Sequence, residues 1–367
     1  MAYQNVGTPR FYVDSFEYLK SKGTTAKEWF EDVVGWEDHM NHRTPTSYPE
    51  LFGLNPVIQK NIENASESND IDFFIPTGYY KPNVERDKEY IAILNHDFST
   101  DGPGIYNVRY RRRLGMSWAE TACNNIQPII NYGDQTYTPN KGVTMLSFEN
   151  DYSPNHWTII KIRLYNSNST SWTPNIGAIS YGCYYDMPVN PDLDLSMEIQ
   201  FDGYKNTSTV NGSTLTNMMY SGSPWWYESD GTKREPWAIG DSSGISKRNG
   251  RRVWNLSFSY MADKDLFASN YSGSSYFEGN GVGTDYDTNE DLTSDDQSFL
   301  YTLDDDDSFH ARVLNRISHG QKFIFQPDNT NNNPDQFAIC VLDQDSFKME
   351  RVAPKTYNIS MKIREVW

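Results

Sequence analysis

The sequence predicts an all-β fold with long connecting loops, and three observations carry that expectation. Residues 357–365 alternate strictly, with Tyr357, Ile359, Met361, Ile363 and Glu365 on one face and Asn358, Ser360, Lys362 and Arg364 on the other. Side chains of a strand alternate faces with period two, so this is the pattern of a half-buried strand. Aromatic residues make up 14% of the chain, with 25 Tyr and 10 Trp, although hydrophobic residues total only 37%. Further apolar or alternating runs recur between stretches rich in Asn, Gly, Ser and Pro, which favours strands over helices.

Taken in order, residues 1–80 read as an extended N-terminal arm or cap. Residues 8–14 (TPRFYVD) begin extended, and a short helix is expected over 25–34 with Thr24 or Thr25 as its N-cap. His39 and His42 are three apart, as metal ligands on a helix can be, but no cysteine or third histidine lies nearby. A surface loop is the expectation there.

The texture changes at residue 89. Residues 90–98 (YIAILNHDF) form a strand entering a turn, and 105–113 alternate as a strand that ends in Arg111, Arg112 and Arg113. Strands follow at 143–148, at 156–164 (HWTIIKIRL) and at 176–182 (IGAISYG). Several short strands within about a hundred residues predict a β-sandwich over 81–190. A linker with two prolines, 184–195, then leads into a strand at 195–201.

In the third region, 191–367, a loop at 220–240 carries Trp225, Trp226, Tyr227 and Trp237 among prolines and glycines. The strand at 250–260 sets Trp254, Leu256, Phe258 and Tyr260 opposite Val253, Asn255, Ser257 and Ser259. Residues 268–298 are acidic and of low complexity, the composition of a loop or insertion. Phe309, Val313 and Ile317 recur every four residues, which predicts one short helix over 308–317. Strands at 322–328, 337–343 and 347–352 precede the terminal one.

Charge and length bound the function. A chain of 367 residues can build two or three cores. A net charge of −17 argues against a nucleic-acid partner and against an anionic membrane surface. No charged-then-apolar opening segment occurs, and no apolar run nears the roughly 18 residues of a membrane span. A soluble chain without a classical export signal is therefore expected. Cys123, Cys183 and Cys340 are odd in number and far apart, which suits buried thiols in a reducing compartment better than disulfides.

Chemistry-bearing motifs are scarce. There is no nucleophile elbow, P-loop, H-E-x-x-H or C-x-x-C, and the chain is not expected to be an enzyme, although paired carboxylates for glycoside hydrolysis stay open because their separation is spatial. Asp304–Asp307 lack the alternating ligand spacing of a calcium loop, so a solvated run is expected. The acidic segment 284–296 could staple a loop through Ca²⁺, but no metal or cofactor is assigned. Trp225, Trp226, Tyr227 and Trp237 are the candidates for an exposed contact patch, since flat aromatics anchor subunit interfaces and stack on sugars. Packing in the chain's own core is the competing expectation. Arg111, Arg112 and Arg113 are candidates for contact with an acidic partner or with the chain's own carboxylates.

Two sets of strings carry a family resemblance. "YIAILNHDF", "HWTIIKIRL" and "IGAISYG" resemble the galactose-binding-like (discoidin-type) sandwich of tailed-bacteriophage tail proteins. "YYDMPVNPDLDLSMEIQFDG", "GRRVWNLSFSYM", "HGQKFIFQPD" and "YNISMKIREVW" resemble a virion structural protein of cyanophage-like tailed phages, similar to minor tail and distal-tail proteins. That resemblance implies a jelly roll over 81–190 followed by a tail-tube-like β-barrel. It also implies a structural role in the virion, as a tail or baseplate ring or collar component assembled in the host cytoplasm. The implied partners are copies of the chain and other tail proteins. The alternative is a carbohydrate-binding adhesin or decoration protein that meets a host-surface glycan.

Overall fold

The computed structural model describes residues 6–21, 23, 48–62, 70–78, 88–98, 104–114, 117–130, 142–149, 158–165, 173–201, 204–218, 225–227, 230–238, 250–267, 308–318 and 320–367. The expected helix at 25–34, His39, His42, the aspartates 304–307 and the acidic segment at 268–298 lie outside them.

Strands dominate the regular structure of the described residues, and the helical pieces are short. In order the strands are β1 (Arg10–Asp14), β2 (Lys60–Asn61), β3 (Asp70–Gly78), β4 (Glu89–His96), β5 (Gly104–Leu114), β6 (Ser117–Ala122) and β7 (Asn124–Ile130). Then come β8 (Val143–Glu149), β9 (Thr158–Tyr165), β10 (Asn175–Asp186), β11 (Ser196–Gln200), β12 (Tyr204–Ser208), β13 (Thr214–Met218) and β14 (Trp226–Tyr227). The last are β15 (Lys233–Arg234), β16 (Arg251–Ala262), β17 (Phe323–Gln326), β18 (Ala338–Leu342), β19 (Met349–Ala353) and β20 (Thr356–Glu365). The helical pieces include α1 (Ser15–Ser21), α2 (Asp263–Leu266) and a π-turn (His310–Leu314) that runs into a helical turn (Asn315–Ile317).

One antiparallel sheet of twelve strands organises the molecule, in the order β11-β16-β20-β18-β17-β1-β10-β4-β8-β7, with β19 on β20 and β2 on β10. Strand β1, from the segment expected as an arm, sits at its middle. It pairs with β10 over five positions and with β17 over four. It thereby joins strands drawn from 81–190 to strands drawn from 191–367 in a single ladder. Arg10 locks this register, because its guanidinium donates to both carboxylate oxygens of the cross-strand partner Asp186 at 2.6 and 3.1 Å. Gly182 is required at the crossing: a Cβ there would lie 1.9 Å from the Val13 carbonyl oxygen.

A second sheet, β3-β9-β5-β6, shares a core with the first. Ile71, Phe73 and Ile75 of β3 and Ile160, Ile162 and Leu164 of β9 pack with Ile91, Ile93, Leu146, Ile179 and Tyr181 of the large sheet. Farther along the same sheet face, the expected helical residues Phe309, Val313 and Ile317 are buried against Phe11, Trp254, Phe258, Phe323 and Ile359. The opposite face carries a third cluster, which includes Tyr12, Tyr90, Leu94, Met145, Ile324 and Phe337.

Local periodicity survives well in these strands. In β20 Ile359, Met361, Ile363 and Glu365 are buried while Ser360 is exposed, matching the alternation of the sequence. In β16 the alternation holds for Trp254, Leu256 and Phe258 and then fails. A register shift between Phe258 and Met261 turns Tyr260 outward with φ 59°, and Met261 takes the core position. Helix α1 was not anticipated. Asp14 caps it, since its Oδ1 accepts the backbone N–H groups of Phe16 and Glu17 at 2.8 Å each. The pattern Asp14-x-x-Glu17 was the available sign.

Candidate assembly surface

The aromatic loop turns inward. Trp226 and Trp237 are 3% and 2% exposed, with ring centroids 5.8 Å apart, and Trp237 stacks on Phe337 at 5.8 Å. Both belong to the core cluster that contains Tyr12, Leu94 and Ile339. These two residues therefore fill their own chain rather than an exposed patch, which leaves Trp225 half-buried and Tyr227 at 36% exposure. The reason is long-range stitching. Tyr227 donates its N–H to the Val57 carbonyl at 2.8 Å and accepts from the Asn95 amide at 3.2 Å, while that amide also reaches the Pro56 carbonyl at 2.7 Å. Asn95 is fully buried at φ 51°, a left-handed conformation that asparagine tolerates better than most residues. A small cavity of about 20 Å³, room for one water, remains between Trp226, Trp237, Ile339, Val366 and Trp367.

Arg111, Arg112 and Arg113 lie in β5. Their register sets them opposite Glu120, Ala119 and Trp118 of β6, and Arg111 and Arg112 also lie opposite Ile159 and Thr158 of β9. The backbone register places the run along one strand of the second sheet.

The surface with the clearest chemical consequence is the end of the large sheet. A sheet edge presents unpaired N–H and C=O groups, and proteins blunt such edges with proline, bulges or charge. At one end β7 has Pro128 and two register shifts against β8. At the other end β11 has neither. It pairs with β16 in unbroken register from Ser196 to Gln200, and among the described residues β16 is its only partner. Met197 packs at the margin of the core. Ile199 and Phe201, next on the same face, are 47% and 60% exposed. Leu193 just upstream is fully exposed. Beyond Phe201 the hairpin β12–β13 stands as a sheet of its own, with Val210 and Leu215 also in solvent. Sequence reading identified the strand at 195–201 but had no signal for its being an edge, because partner order is not a local property.

Buried titratable groups elsewhere are engaged structurally. Asp14 accepts from the Ser180 hydroxyl, which also meets the Tyr90 hydroxyl at 2.8 Å. Complete burial pushes the Asp14 carboxyl up to about 7 against these donors. His96 is fully buried, meets the Thr144 hydroxyl at 2.9 Å and accepts the Phe98 N–H at Nδ1. Its burial, with the Arg234 charge adding, lowers the imidazole to about 3. Among the described residues no group of three or more His, Cys, Asp and Glu could hold a metal, and no helix is long and apolar enough to cross a membrane. Comparison with protein-family models, with curated proteins and with solved structures returns no match to this chain.

Proposed function

We propose that the chain is a structural subunit of a tailed-phage virion, a tail or baseplate ring or collar component that works by assembling with copies of itself and with other virion proteins. One observation carries the assembly reading: among the described residues one edge of β11 is unpaired and free of proline and bulge, and its apolar residues Ile199 and Phe201 face solvent. The placement in a virion rests on the strings that resemble tail proteins. On this reading the two halves of the large sheet correspond to a galactose-binding-like jelly roll and a tail-type barrel, joined through β1. The carbohydrate-binding alternative has less to stand on, since Trp226 and Trp237 are spent on the core.

The test is the mass of the full-length chain by light scattering over a range of concentrations. Removing residues 1–80 would not be informative, because β1 is a central strand. A discrete oligomer supports the assembly reading. A monomer at every concentration, even with other virion proteins present, would sink it.

A further inference from the structure

We infer that β11 pairs antiparallel with β11 of a second copy about a two-fold axis at Ile199, so that the twelve-stranded sheet runs on across the contact. This rests on the assembly reading and names the partner of the same surface.

The argument begins with the faces. Met197 and Ile199 lie opposite Trp254 and Arg252 of β16, on the sheet face that carries the Trp254, Leu256 and Phe258 core. By alternation Phe201 continues that face. A two-fold perpendicular to the sheet keeps this face on the same side in both copies, and it must then pass through a residue set opposite itself. The strand Ser196–Gln200 offers five centres; those at Ser196 and Met197 run the ladder into the turn where the Leu195 N–H is already bonded to the Asp192 carbonyl, and leave Phe201 without a strand residue opposite, so three remain. An axis at Glu198 sets two carboxylates directly opposite each other, which destabilises a strand pair. An axis at Gln200 pairs Ile199 with Phe201 but carries Met197 and Glu198 past the described end of the strand, so only three residues of each copy engage. An axis at Ile199 sets Ile199 against Ile199, Met197 against Phe201 and Glu198 against Gln200. Every apolar residue meets an apolar one, and no like charges face each other.

The other candidate occupants fit less well. The β12–β13 hairpin, the segment that follows most closely, is paired with itself. The β7 edge of another copy would bring its proline and bulges to the contact. A β11 edge from a second copy has neither obstacle. A two-fold contact closes at a dimer, so a ring that contains it has dihedral symmetry and an even number of copies.

The experiment uses three full-length variants. Ile199→Lys and Ile199→Glu each place like charges across the axis, and each should raise the dimer dissociation constant at least about tenfold. An equimolar mixture should restore the dimer as a heterodimer, because opposite charges then meet. Ile199→Cys, which adds no charge, should link chain to chain under mild oxidation. Tyr260→Cys, at a residue 77% exposed on the β16 bulge, should not. Dimers that persist in both charged variants, or a mixture that fails to recover while the Ile199→Cys chain stays unlinked, would overturn this pairing and leave the assembly reading standing. A wild-type chain that is monomeric at every concentration would overturn both.

Discussion

Arg252 and Glu365 form a fork-to-fork ion pair at the end of the β16–β20 ladder, with Nη2 to Oε1 at 3.0 Å, Nε to Oε2 at 3.1 Å and both side chains 3% exposed. The guanidinium also donates to the carbonyls of Asp335 and Phe337 at 2.8 and 2.7 Å, which ties the turn before β18 to the sheet. Glu365→Ala would leave a buried cation without its anion and should cost about 3–5 kcal/mol. The double variant Arg252→Met with Glu365→Leu should cost much less than the sum of the single changes. Urea unfolding of the double variant and of its two single parents, Arg252→Met and Glu365→Leu, measures this, and additive costs would show that the pair is not coupled.

Asp14 links β1, α1 and β10, and its folded-state value near 7 lies above the unfolded value of 3.8. The folded chain therefore holds a proton that the unfolded chain releases over this range, and stability falls as pH rises from about 4 to 7. The effect is on the order of a few kcal/mol. Asp14→Asn cannot titrate, so the difference in stability between wild type and variant should shrink or reverse over that window. A difference that stays flat with pH would place the carboxyl in its ordinary range.

His96 acts in the opposite sense. Its value is depressed to about 3 from 6.5, so below pH 6.5 the unfolded chain takes up a proton that the folded chain refuses. Stability from this group is complete above 6.5 and is lost as pH falls towards 3. One of the six imidazole signals in a proton NMR titration should stay neutral down to pH 4.5. If all six titrate near their ordinary value, His96 is not buried as described.

Gly182→Ala should be among the most damaging single substitutions, because the added Cβ meets the Val13 carbonyl oxygen at 1.9 Å and must push β1 out of the sheet. A loss of at least about 3 kcal/mol is expected. Gly212→Ala, in the open β12–β13 turn at φ +79° with nothing within 4 Å, should cost only about 1–2 kcal/mol for the left-handed backbone. Thermal melts of the two variants compare them, and equal losses would mean that β1 tolerates displacement.

Trp237→Ala should cost about 3–5 kcal/mol by opening a cavity beside Trp226 and Phe337. Tyr227→Ala, at a residue 36% exposed, should cost far less. If Trp237→Ala changed the oligomer mass while the melting temperature held, the tryptophan would belong to an interface after all.

Much of the fold was legible in the residues because strand and helix periods are local. The alternation at 357–365 became β20, the run at 250–258 became the first part of β16, and the spacing of Phe309, Val313 and Ile317 marked one buried helical face. Even Glu365, a charge at a core-facing position, was visible as part of that alternation.

What the sequence could not determine is which strand lies beside which, and so which surfaces remain open. Residues 10–14 look like an extended lead-in, yet pairing with β10 and β17 makes them the central strand. Trp226 and Trp237 look like loop-tip aromatics until Val57 and Asn95, more than a hundred residues earlier, draw their loop onto the core. Ser196–Gln200 reads as one strand among many, and only the order of the sheet makes it an edge. A strand's period depends on its own backbone, whereas its neighbours depend on hydrogen bonds and burial between residues distant in the chain, and no local pattern encodes those.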